Sequence, residues 1–124
     1  MVVITIIAVL SMVGLVAFSD AQKNARDGKR KADINAITKA LESNYTPNST
    51  TPYPAVAPSW FVGSNIPTNP SPGGAAYSYP TIAASAFSVC ATLEKSTGNA
   101  DDLTATGYNI NSANKAYYCV KNSQ

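Results

Sequence analysis

The feature that most restricts what this chain can become is its start. Val2 to Phe18 reads VVITIIAVLSMVGLVAF, 17 residues without a charge, broken only by Thr5, Ser11 and Gly14. As a helix it extends about 25 Å, close to the lower limit for crossing a hydrocarbon layer. Charge elsewhere is just as unevenly placed: Asp20 to Glu42 holds six basic and four acidic residues, Ser43 to Leu93 none, and the tail from Glu94 three of each. A chain of 124 residues with three such regimes is built for three surroundings: a lipid-like one, a polar helix surface, and an uncharged, loop-rich surface. The net charge of +2 is too small to imply a nucleic-acid partner on its own.

Three readings compete for the apolar run: a cleaved signal peptide, a plain membrane anchor, and an anchor that later packs against other copies of the chain. Ser19-Asp20-Ala21 offers small residues for a signal peptidase, but no basic residue precedes the run, and the helical pattern continues past Ala21. From Asp20 to Tyr45 there is no proline and one glycine, Gly28, while Ala21, Ala25, Ala32, Ala36 and Ala40 favour helix. Ile34, Ile37, Leu41 and Tyr45 fall on one face, with Lys31, Asp33, Asn35, Lys39 and Glu42 mostly off it. Lys23 before Asp27, and Asp27 before Lys31, stand at helical neighbour spacing. The pattern predicts one helix of roughly 40 residues, about 60 to 65 Å long, apolar all round at first and striped later. Its first half needs lipid or other chains, because soluble monomers avoid exposing so large an apolar surface.

MVVITIIAVLSMVGLVAF followed by ARDGKRKADINAITKALESNY resembles the N-terminal helix of type IV pilins and of the pseudopilins of type II secretion. It is most similar to pilins of small-genome candidate-phyla bacteria, which carry ARD-x-KRK-x-D-[IL] stretches. The likeness covers residues 1 to about 45 closely and the rest in outline. It implies that Val3, Ile6, Ile7, Leu10, Val13, Leu15, Val16 and Phe18 pack in a filament core, and that the helix melts near Gly14 on assembly. The charged cluster of Lys23, Arg26, Asp27, Lys29, Arg30 and Lys31 reads either as a set of contacts between subunits or as a solvated helix face or lipid-headgroup anchor, and the stripe of Ile34, Ile37, Leu41 and Tyr45 is expected to hold the head. The family's Phe-Thr-Leu-Ile-Glu-Leu segment, made by a peptidase that also methylates the new terminus, is missing; Met1 aligns just after it. The expectation is therefore a start upstream of Met1 with a basic leader. Such a leader offsets the basic residues from Lys23 to Lys31, which alone hold this side in the cytoplasm.

Tyr45 to Pro80 contains all eight prolines, which excludes a long helix and leaves short edge strands at most. The predicted loop is pinned by Tyr53, Val56, Trp60, Phe61, Val62 and Ile66. Strand-like runs follow at Ala75 to Ile82, Ala86 to Leu93 and Ala116 to Val120, with Tyr108 to Ile110 as a further edge. Residues 1–19, 20–45 and 46–124 thus read as an apolar helix half, an amphipathic half, and a head made of a loop (46–74) and a sheet (75–124). A sheet on the stripe gives an α+β fold, which the resemblance also implies. Cys90 and Cys119 are the only cysteines; their even count behind an export-like start favours a disulfide over two free thiols or half a zinc site.

Catalytic equipment is sparse. There is no histidine, and paired cysteines supply no nucleophile, so the expectation is no enzyme, no cofactor and no metal. Asp101 and Asp102 read as a turn; resemblance to calcium-binding pseudopilins makes them, with Asn99, the alternative metal ligands. Asn44-Tyr45-Thr46 and Asn48-Ser49-Thr50 are glycosylation sequons, a short and common match. The function implied is a pilus subunit, in the inner (cytoplasmic) membrane before assembly and in a surface filament afterwards. Its partners are further copies of itself, the pilus assembly machinery, and a host-cell surface or DNA, for adhesion, twitching motility or DNA uptake. The alternatives are a minor pilin or tethered adhesin, and a secretion pseudopilin.

Overall fold

The computed structural model describes residues 1–70, 74–82, 86–101 and 115–122, apart from the side chains of residues 15, 16, 80 and 81. Helix α1 runs unbroken from Val2 to Ser43, 42 residues. It stops at Asn44, whose side chain folds back to donate from Nδ2 to the Ala40 carbonyl at 2.8 Å, the same oxygen that accepts its backbone amide. Pro47 follows three residues later and bars further helix.

Three antiparallel strands form the sheet, β1 (Ser78–Ile82), β2 (Phe87–Thr92) and β3 (Tyr117–Lys121), in the order β1-β2-β3. Together with α1 they make the expected α+β fold. Each strand lies within two or three residues of its predicted bounds; at the start of the first, Ala76 makes only an isolated bridge with Thr68. The predicted edge at Tyr108 to Ile110 lies outside the described residues.

The core forms where the stripe of α1 meets the inward face of β2. Ile34, Ile37 and Leu41 are fully buried against Phe87, Val89 and Ala91, with Tyr53 and Tyr77 closing the ends. Tyr45, half-buried, packs on the rim of the same cluster. Tyr53 reaches back from the proline-rich loop and meets the Phe87 ring edge-on at 4.9 Å between centroids, a favoured aromatic geometry. Val56, Trp60 and Phe61 also pin the loop, in and beside a short 3-10 turn at Pro58–Trp60. Val62 does not. It is fully exposed, because the chain reverses through Gly63 at φ 77° and turns the side chain outward.

The opposite face of β2 carries Cys90, bonded to Cys119 directly across the β2–β3 pair. Closing a loop of 29 residues is worth about 3.5 kcal/mol in the chain-entropy account. The outer edge of β3 is covered by Gly98 to Ala100, which bridge to Lys115 and Tyr117. Asn99 completes the cover: its Nδ2 donates to the Cys119 carbonyl, and its Oδ1 accepts from the Cys119 amide. A calcium site using Asn99 is thereby disfavoured, since its side chain is already spent on the strand. The other edge, β1, contains Pro80 and a register shift between Ser78 and Thr81, devices that discourage edge-to-edge pairing.

Gly98 must be glycine because a Cβ there lies 2.0 Å from the Tyr117 carbonyl oxygen, a backbone atom that cannot step aside. Gly98→Ala is expected to cost about 3 kcal/mol in urea unfolding. An unchanged midpoint counts against the close approach.

Candidate assembly interface

Two features flank Ser19: a bare apolar rod below it and a charged junction above it. Every described side chain from Val2 to Ser19 is exposed. Among the predicted packing residues Val3, Ile6, Ile7, Leu10, Val13 and Phe18 are all more than half exposed, with Leu10 at 67% and Phe18 at 63%. Leu15 and Val16 lie outside the described side chains. The polar interruptions do not spoil this surface, because Thr5 Oγ1 donates to the Val2 carbonyl and Ser11 Oγ to the Ile7 carbonyl. With both hydroxyls bonded to their own helix, what faces outward is hydrocarbon. The helix continues through Gly14, which has open space around it. Met12, Val13, Ala17 and Asp20 frame one shallow groove along the rod, and Thr5, Ile6, Val9 and Leu10 another.

The junction is built on Asp27, which is 4% exposed. Its carboxylate accepts from Arg30 Nη1 at 2.6 Å and from the Glu94 and Lys95 amides at 2.9 and 2.8 Å. Arg30, 2% exposed, also donates from Nε to Asn69 Oδ1 and pairs with Glu94 at 2.9 Å. Arg26 grips Glu94 with two 2.6 Å hydrogen bonds, the bidentate fork that suits a guanidinium to a carboxylate. Helix, proline-rich loop and the segment after β2 are thus tied at one place.

This placement corrects the expected role of the basic stretch. Asp27 and Arg30 are buried and paired within the chain, and Arg26 is committed to Glu94, so of the stretch Lys23, Lys29 and Lys31 are the cations not tied to a carboxylate among the described residues. Lys31 turns away from Asp27: its Nζ donates to the Thr97 carbonyl and sits 5.6 Å from the centre of the Tyr118 ring. Lys23 and Lys29 make no ion pair among the described residues. The described carboxylates, by contrast, all have partners in the chain: Asp20 with Lys95, Asp33 with the Tyr77 hydroxyl, Glu42 with the Tyr53 hydroxyl, and Asp101 with Lys115, besides Asp27 and Glu94. Glu94 is the junction residue that sequence reasoning missed. Its signal was its isolation, as the first charge after the uncharged stretch from Ser43 to Leu93.

Hydrogen bonds from Arg26 foremost, with help from Arg30 and from both positive charges, outweigh partial burial and hold the Glu94 carboxyl down at about 2. Burial, and then the hydrogen bond and charge of Asp33, push the Tyr77 phenol well up. A depressed carboxyl stabilises the fold above its unfolded value and loses that contribution as pH falls through its folded value. The stability gap between wild type and Glu94→Gln is therefore expected to be full above pH 4.5 and to shrink as pH drops toward about 2. Urea titrations across that range test it, and a gap independent of pH contradicts the pairing.

Among the described residues no group of three or more His, Cys, Asp or Glu side chains converges as a metal site. Fold and surface together define an α+β chain led by a helix long and apolar enough to cross a membrane. No protein-family model, curated protein or solved structure matches it.

Proposed function

We propose that this chain is a structural, non-enzymatic subunit of a type IV pilus-like surface filament. Val2 to Phe18 stores it in the cytoplasmic membrane, and assembly machinery then stacks many copies so that these segments fill the filament interior. The observation that carries this reading is a single continuous helix, bare on its first half and packed to a disulfide-closed head on its second. Such a rod trades lipid contacts for close packing against its own kind, a gain in dispersion more than in water exclusion. On assembly the helix opens around Gly14, the weakest helix former in the run.

Electron microscopy of cells with and without the gene, paired with mass spectrometry of sheared appendages, tests the proposal. The expected result is filaments present only with the gene and this chain as their dominant band. A full-length protein that stays monomeric without detergent overturns it. A minor band in filaments that persist without the gene assigns the chain to the minor-pilin or adhesin class instead.

A further inference from the structure

We infer that the underside of the head, formed by Lys23 and Lys95, is a docking surface for anionic phospholipid headgroups while the chain waits in the membrane. The inference rests on the membrane-spanning half of the proposed function and not on the filament. It starts from the charge inventory: the described carboxylates are all engaged inside the chain, whereas Lys23 and Lys29 have no anionic partner among the described residues. In the membrane, before assembly, only Asp20 among a second copy's described carboxylates lies at the level of Lys23, and it is paired with Lys95; lipid phosphates occupy that level throughout.

Geometry then ranks the lysines. The hydrocarbon ends near Phe18, and the headgroup layer beyond it is about 5 to 7 Å thick. At helical rise, Lys23 lies about 7 Å past Phe18, Lys29 about 16 Å and Lys39 about 32 Å. Lys95 joins Lys23 from the head, since its Nζ reaches down to Asp20, 3.6 Å away and only about half a turn beyond the apolar run. Asp20 is the one opposing charge at this level, and Lys95 occupies it. Arg26 and Arg30, which sequence alone would add to the patch, are clamped by Glu94 and Asp27 at 2.6 to 2.9 Å, whereas the Lys95–Asp20 pair is looser, 3.6 Å apart and at least partly exposed on both sides, so Lys95 is free to turn to a phosphate. Screening in physiological salt falls off over about 8 Å, so Lys23 and Lys95 feel the surface strongly, Lys29 weakly and Lys39 hardly at all. A lysine at an anionic surface gains about 1 kcal/mol, a factor of about fivefold.

The test is lysine footprinting of the full-length chain in vesicles. The chain is inserted either into phosphatidylcholine alone or into an equal mixture with phosphatidylglycerol, then treated with a neutral acetylating reagent. Flotation with the vesicles is checked first. Acetylation of Lys23 and Lys95 is expected to slow about fivefold in the anionic vesicles, Lys29 less, and Lys39 and Lys121 not at all. The slowing should vanish in about 1 M salt, where screening acts within about 3 Å. Equal rates at Lys23 and Lys95 in both vesicles overturn the inference while leaving the membrane anchor intact. Uniform slowing that includes Lys39 and Lys121 also overturns it, because the effect then belongs to the vesicle and not to this surface. Failure to float removes the anchor and the inference together.

Discussion

Val13→Asp is expected to yield a chain that no longer stays in membranes or enters the proposed filament, while its head unfolds at the same urea concentration as the parent. Val13 is 66% exposed in the single chain, so the substitution removes no packing from the head. The penalty falls on what the rod must join. An aspartate near the middle of a spanning helix costs about 2.5 to 3.5 kcal/mol on insertion scales, a loss of roughly two orders of magnitude in partition. In a packed filament interior it is worse placed, because Val2 to Phe18 supplies no basic residue to answer it. Membrane fractionation and filament counts measure the effect, with Val13→Leu as the volume control. Normal filaments from Val13→Asp would mean that this segment is not an interior one.

Asp27→Asn is expected to lower stability by about 3 to 5 kcal/mol, the usual cost of breaking a buried ion pair by removing one member. The amide keeps the size of the side chain but presents one acceptor where the carboxylate serves Arg30 and two backbone amides. Arg30, with 2% of its surface exposed, is left leaning on Glu94 and Asn69. Combined with Glu94→Gln the losses should not add, because both residues serve the same guanidinium. Urea midpoints of the two single variants and the double variant decide the matter. A loss below about 1 kcal/mol for Asp27→Asn reduces the junction to decoration.

Elements set by local periodicity were legible in the sequence. The spacing of Ile34, Ile37 and Leu41 announced the buried stripe, and the absence of proline up to Tyr45 announced the length of α1. The strands and the cysteine pair were readable for the same reason, since short β-branched and aromatic runs and an even cysteine count need no knowledge of distant partners. The junction was not. Asp27 stands 67 residues from Glu94, and helical spacing offered it Lys31, a nearer and wrong partner. Nothing local distinguishes Arg30, which turns inward, from Lys29, which stays on the surface. Val62 failed for a different reason: a valine among aromatics reads as a pin until the left-handed turn at Gly63 is known.

Ser19 divides the molecule into a shaft and a hilt. No described side chain of the shaft rests on the hilt, so the two can change under separate pressures. Under the proposed function, loops such as the one carrying Val62 are free to diversify, or to accept an inserted tag, without altering how neighbouring shafts bundle. In the proposed filament, the outer surface is thereby separable from the lattice that the shafts build.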